Sequence, residues 1–181
     1  RNSVMAQYAV PDADITDAGW QDQSGGTTLF SAINNGINGP GASPNDSTYI
    51  TDQSFFPSPC EVSLGSLSTP SSRTNHYIYI RVRRTDGFTN NVTIQLKEGS
   101  NVRWTETLTS VTASFQTLTS TLDSTAMNSI TDYSNLSITL GAGNAPDVTR
   151  ISEVELEVPD AGGGGAGEPP KLHPEFFISL L

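Results

Sequence analysis

The sequence predicts an all-β chain: an antiparallel two-sheet sandwich of jelly-roll type with extended terminal arms. Three observations carry that prediction. First, His76-Tyr77-Ile78-Tyr79-Ile80-Arg81-Val82-Arg83 alternates strictly between apolar and polar residues, and Val92, Ile94 and Leu96 repeat the alternation against Thr93, Gln95 and Lys97. Successive side chains on a strand point to opposite faces, so each run reads as a half-buried strand with one apolar face. Second, about eight or nine such runs follow one another with turn residues between them, the spacing of a sandwich. Third, no long helical pattern separates the runs. Parallel pairing needs a crossover, so the strands pair antiparallel.

Residues 1–13 alternate weakly through Val4, Ala6, Tyr8 and Val10 before Pro11, and read as an N-terminal arm or an edge strand. Residues 14–159 form the sandwich. Ile15 and Trp20 anchor a short strand ending near Trp20. Leu29, Ala32, Ile33 and Gly36 stand at helical spacing, with Thr28 as N-cap and Gly36 as stop, which predicts a helix of about two turns. A Gly/Pro/Asn loop over 38–46 leads to short strands at Ser47-Thr48-Tyr49-Ile50-Thr51 and Cys60-Glu61-Val62-Ser63-Leu64. Asp86-Gly87 marks the turn of the central hairpin. Beyond it, Asn101-Val102-Arg103-Trp104-Thr105-Glu106-Thr107-Leu108 is a strand with Val102 and Trp104 inward, residues 114–122 suit an edge strand, and residues 124–130 form a helical turn. Leu136, Ile138 and Leu140 make one apolar face, and Val154, Leu156 and Val158 another, with Glu153, Glu155 and Glu157 outward. These six residues, with Ile78, Ile80, Val82, Val92, Ile94 and Leu96, are the predicted core.

The composition is 35% hydrophobic and 15% charged. Charged residues usually approach about a quarter of a globular chain, so the surface here is made largely of Ser, Thr, Asn and Gly. The net charge of −10 argues against nucleic acid and against an anionic membrane surface as partners, because both need a positive patch. No apolar run approaches a membrane span. Cys60 is the only cysteine, so no intrachain disulfide forms, and its expected role is that of a small buried hydrophobe. No signal-peptide pattern opens the chain, and its first residue is Arg1 rather than Met.

No catalytic residue, metal or cofactor is predicted. His76 and His173 lie in no metal-ligand spacing, and His76 reads as a surface or cap residue. Asp12, Asp14 and Asp17 have no closing glutamate and do not fit a calcium loop. No nucleophile elbow, phosphate loop or zinc-protease motif is present. Glu153, Glu155 and Glu157 read as a solvated strand face that discourages edge pairing. For binding, Trp20 and Trp104 are the candidate glycan contacts. Tyr77 and Tyr79, alternating with Arg81 and Arg83, form a mixed face suited to docking another protein, or to being partly covered by a loop or arm.

Residues 160–175 are a Gly/Pro-rich linker, and residues 176–181 an apolar docking segment. Exposed, Phe176, Phe177, Ile178, Leu180 and Leu181 would be a liability. They are therefore expected to dock on this sandwich or on a neighbour, for instance by adding a strand to an open edge.

Several segments carry a resemblance. Pro11-Asp12-Ala13-Asp14-Ile15-Thr16-Asp17-Ala18-Gly19-Trp20, Leu29-Phe30-Ser31-Ala32-Ile33-Asn34, Tyr49-Ile50, the Tyr77–Arg83 alternation, Ile130-Thr131-Asp132-Tyr133-Ser134-Asn135-Leu136 and Glu153-Val154-Glu155-Leu156-Glu157-Val158-Pro159 together resemble a jelly-roll module of structural proteins of tailed bacteriophages. The likeness covers about residues 11–159, rests on the order of the motifs, and does not extend to the Gly-rich linker or the apolar end. It implies a non-enzymatic protein of the virion surface. The leading expectation is capsid decoration, with copies of itself and the major capsid protein as partners and the terminal arms as contacts. The alternatives are a carbohydrate-binding or host-adhesion module of a tail or fibre, with host-surface glycans as ligands, and an extracellular filament subunit with exchanged tails. The decoration reading needs arms buried against other chains. The adhesion reading needs an aromatic platform open on a concave sheet.

Overall fold

The computed structural model describes residues 6–52, 58–84, 91–142 and 148–161. Two antiparallel sheets pack face to face as a jelly-roll sandwich. The strands are β1 (Ala6–Ala9), β2 (Pro11–Thr16), β3 (Trp20–Asp22), β4 (Ile50–Asp52), β5 (Cys60–Leu64), β6 (Tyr77–Arg84), β7 (Val92–Glu98), β8 (Asn101–Leu108), β9 (Gln116–Thr121), β10 (Leu136–Ala142) and β11 (Thr149–Pro159). One sheet has six strands in the order β3-β4-β11-β6-β9, with β1 added beside β11; the other has five, β2-β5-β10-β7-β8. β11 is the spine of the larger sheet. β6 runs along one side of it, while β4 and β1 share the other, at Arg150 and Ile151 and at residues 156–159 respectively.

The core lies between the sheets, where the alternation placed it. All twelve predicted core residues are buried, joined by Trp20, Leu29, Ile33, Ile50, Cys60, Val62, Ile130 and Tyr133. Cys60 is a free, buried thiol. Burial of a large aliphatic side chain contributes about 1.5–3 kcal/mol, so the interlayer packing is the main stabilising term. The α-helix α1 (Ser124–Ser129) is the expected helical turn; Asp123 caps it by accepting the Ala126 amide at 2.8 Å. β9 is the expected edge strand. Residues 6–13 belong to the sandwich as β1 and the start of β2, itself an edge.

Five expectations are corrected. The helix at Thr28–Gly36 is only a 3-10 turn over Phe30–Ala32. The Asp14 carboxylate accepts the Leu29 and Phe30 amides at 2.9 and 2.7 Å, and at Gly36 the backbone turns left-handed, with φ at 75°. The strand expected to end near Trp20 is two strands: β2 stops at Thr16, a turn through Ala18 and Gly19 has positive φ at both, and β3 begins at Trp20. Val102 is half exposed rather than inward, because a bulge pairs Leu96 with Trp104 but Lys97 with Val102 and turns the chain over at Arg103. His76 is fully buried, with Nε2 2.7 Å from the Tyr133 hydroxyl and Nδ1 2.9 Å from the Thr74 carbonyl. Burial holds its pKa below the ordinary histidine value. Finally, Glu153 and Glu155 are buried rather than solvated. The linker beyond Ala161, and Phe176, Phe177, Ile178, Leu180 and Leu181, lie outside the described residues.

Candidate functional site

Strand parity builds the site. On β6, the even positions Ile78, Ile80 and Val82 fill the core, so Tyr77, Tyr79, Arg81 and Arg83 face outward, each half-buried. Register sets their neighbours. Tyr77 stands between Glu157 and Thr121, and Tyr79 between Glu155 and Thr119; Arg81 stands between Glu153 and Thr117. On the far side of β11, Tyr8 of β1 is opposite Glu157. The outer face of the six-stranded sheet therefore carries a row Tyr8–Glu157–Tyr77–Thr121 and, one step along, Tyr79 and Thr119.

The rings of Tyr77 and Tyr79 lie 6.3 Å apart and are tilted by 41°. The Tyr79 hydroxyl donates to Glu157 Oε2 at 2.7 Å, and the Tyr77 hydroxyl reaches Asn75 Oδ1 at 3.4 Å. Burial, the hydrogen bond to Glu157 and its negative charge raise the Tyr79 pKa. Burial first, then the charges of Glu157 and Glu155, raise that of Tyr8. Both phenols thus stay protonated, the Tyr79 hydroxyl spending its proton on Glu157. Two open depressions flank the row. One, of about 550 Å³, lies between Tyr8, Gln7 and Val10 and the loop residues Asn35, Gly39 and Pro40. The other, of about 310 Å³, is bounded by Glu157, Thr74, Asn75 and Ser72.

A loop over residues 34–48 forms one wall, and carboxylates on the sheet hold it. Glu155 accepts the amides of Ile37 and Gly39 on Oε2, at 2.9 and 3.1 Å, and that of Asn38 on Oε1 at 2.9 Å. Glu153 accepts the amides of Asn35 and Asn45, each at 3.0 Å, and the Asn35 side-chain amide at 3.2 Å. Burial nevertheless leaves the pKa of Glu153 raised. Arg81 donates from Nε and Nη2 to the two oxygens of Asp46, both at 2.6 Å. Two glycines permit this approach. A Cβ on Gly39 would sit 3.1 Å from Cβ and Cγ of Tyr8, and one on Gly36 2.9 Å from Glu155 Oε2.

The candidate residues fare differently. Trp20 is fully buried and donates from Nε1 to the Ser58 carbonyl at 3.0 Å; Trp104 is 8% exposed. Both expectations of a glycan contact are corrected: bulky indoles on inward positions fill the interlayer space and offer no ring face to a ligand. Tyr77 and Tyr79 are on the surface as expected, beside the covering loop. The three aspartates are not gathered. Asp12 accepts the Ser63 hydroxyl, Asp14 caps the 3-10 turn and Asp17 accepts the Gly19 amide. Among the described residues no cluster of three or more His, Cys, Asp or Glu side chains suits a metal. The contributions of Tyr8 and Glu157 escape the sequence reading. Their only signal is weak alternation before Pro11 and the outward parity of Glu157, and pairing register alone brings them together.

The opposite surface differs. On the five-stranded sheet Thr93, Gln95, Lys97, Thr105 and Thr139 face outward without an aromatic ring, and the Lys97 ammonium pairs with Glu61 at 2.5 Å.

The sequence matches no protein-family model and no curated protein. Solved structures do match. A xylan-binding module of family CBM15 superposes with a TM-score of 0.50 at 14% identity, over 86% of this chain and 97% of that one. The CBM22-1–GH10 modules of a Clostridium thermocellum xylanase, complexed with xylohexaose, give 0.43 at 12% identity over 83% of this chain and 28% of theirs. A family 29 carbohydrate-binding module from Piromyces equi gives 0.40 at 12% identity, over 85% and 91%. At such identities the CBM15 likeness establishes the jelly-roll fold.

Proposed function

We propose that the chain is a non-catalytic carbohydrate-binding module that holds a polysaccharide on the outer face of its six-stranded sheet. The observation that carries this reading is the row of Tyr8, Tyr77 and Tyr79 around the Glu157 carboxylate. Sugars present apolar C–H faces and a rim of hydroxyls. Half-buried rings supply surfaces for the faces, while the Tyr8 phenol, the Glu157 carboxylate and the Thr119 and Thr121 hydroxyls supply donors and acceptors for the rim. Flanking depressions that are open rather than enclosed suit a chain that continues past the site. The xylan-binding module with which the chain shares its fold supports the same class of ligand.

The non-catalytic part rests on where the carboxylates are spent. Glycoside hydrolysis needs two of them free to act across one bond. Glu153 and Glu155 are buried and committed to amides of the 34–48 loop, which leaves Glu157 without a partner carboxylate in the row. The capsid-decoration reading rests on the terminal arm beyond the described residues and on the sequence resemblance. The described face favours the adhesion reading over it.

The test is retardation of the protein in native gels containing soluble polysaccharides, xylans first. Binding should be lost or fall about tenfold, roughly 1.4 kcal/mol, in Tyr77→Ala and in Tyr79→Ala, with the fold retained by circular dichroism. Unretarded migration of the wild-type chain across xylans, β-glucans, mannans and host-type glycans would end the proposal.

A further inference from the structure

The same outer face carries a feature that a neutral glycan does not use. Four residues along β6 from Tyr79, at roughly 3.3 Å per residue, Arg83 stands directly opposite Arg150 of β11. Each guanidinium lies over an aromatic ring: Arg83 4.8 Å from the centre of Phe115, and Arg150 4.7 Å from that of Tyr49. The two rings are themselves 6.3 Å apart. All four side chains are half-buried. The Nε atoms of both arginines are buried without a hydrogen-bond partner among the described residues. The Asp46 carboxylate, which feels the charge of Arg83, is held at both oxygens by Arg81, and that pairing and the charges of Arg81 and Arg83 keep its pKa low. Two like charges placed opposite each other on paired strands are destabilising. In a chain of net charge −10 the arrangement is conspicuous, because a single carboxylate between them would relieve it.

We infer that Arg83 and Arg150 form a subsite for one acidic group, a carboxylate or a sulfate, carried on the polysaccharide bound at the tyrosine row. This deepens the proposed function and rests on it. Guanidinium groups present planar forks of N–H donors that match the oxygens of such an anion, and stacking on Phe115 and Tyr49 fixes the planes of both forks before the ligand arrives. The overall negative charge sets the class more narrowly. A polyanion would be repelled by the rest of the surface, so the ligand is a largely neutral chain with isolated acidic substituents. The roughly 13 Å between Tyr79 and Arg83 along the strand makes it an oligosaccharide rather than a single sugar.

The experiment uses the full chain and three soluble polymers: glucuronoxylan, the same polymer with its carboxyl groups reduced to alcohols, and the reduced polymer lightly sulfated. Titration calorimetry should show glucuronoxylan binding about tenfold or more tighter than its reduced form, the scale of a charge-assisted hydrogen bond. In Arg150→Gln and, separately, Arg83→Gln the ratio should fall towards one. Preference for the sulfated polymer over glucuronoxylan would identify sulfate as the anion. Equal binding of the charged and reduced polymers by the wild-type chain overturns the subsite and leaves the glycan reading standing. A preference that survives in both variants also overturns it, and binding of none of the polymers overturns both readings.

Discussion

Replacing Glu155 by Gln tests how the binding face is built. Glu155 is 1% exposed, and its carboxylate accepts three backbone amides, from Ile37, Asn38 and Gly39. Glutamine has nearly the same shape but one acceptor oxygen. With that oxygen kept on Ile37 and Gly39, the new NH2 group faces the amide of Asn38, donor against donor. A hydrogen bond to a charged group contributes about 1.5–3 kcal/mol, and an unsatisfied buried donor costs about as much again. These terms share one side chain and do not add, so the expected loss is about 3 kcal/mol. For a chain of this size that lowers the melting midpoint by roughly 6–12 °C. The control is Glu157→Gln two residues on, where the neighbour is the Tyr79 hydroxyl; it should change stability by no more than about 1 kcal/mol while weakening glycan binding. Urea denaturation of both variants, read by tryptophan fluorescence since Trp20 and Trp104 are buried, measures the difference. A loss below about 0.5 kcal/mol in Glu155→Gln, the range of an ordinary surface substitution, would refute the view that sheet carboxylates fasten the loop.

Three further outcomes are expected. Ile80→Ala, at a fully buried position on β6, should cost about 2–5 kcal/mol by chemical denaturation; a smaller loss would mean that the site collapses or is wet. Burial raises the Asp52 pKa to about 6, above the ordinary value of about 3.9. The folded state then holds a proton that the unfolded chain has released, so this residue's contribution is full below about pH 4 and is lost as pH rises through about 6. Asp52→Asn keeps an acceptor for the Thr149 amide and should remove that decline, and melting curves across the window that stay parallel in wild type and variant would contradict it. Removing residues 162–181 should leave the melting midpoint unchanged, because the sheets close without them; a large fall would show that the apolar end completes this core.

What the sequence disclosed follows the range of the forces involved. Alternation is local, so Ile78-Ile80-Val82 and Val92-Ile94-Leu96 revealed their buried faces directly. What failed was decided at long range. Leu29, Ala32 and Ile33 have helical spacing, but Asp14, far back in the chain, takes the amides that open the turn. Glu153 and Glu155 look like a solvated stripe until β11 is placed at the centre of its sheet and a loop from residues 34–48 settles on them. Trp20 and Trp104 are the residues usually sought for a sugar platform, yet their strand parity sends them into the core. The tyrosines were legible as an outward pair on β6. Their company was not, because Tyr8, Glu157 and Thr121 meet Tyr77 only through the pairing of four strands, β1, β11, β6 and β9.

The central claim is that a polysaccharide binds at this row, and the most direct measurement is a titration of the isotope-labelled chain with xylo-oligosaccharides, following backbone amide shifts. The predicted result is movement at Tyr8, Tyr77, Tyr79, Glu157 and Thr119, with amides of Thr93, Gln95 and Thr139 on the opposite sheet unmoved. Shifts concentrated on the five-stranded sheet, or none at saturating ligand, would contradict it.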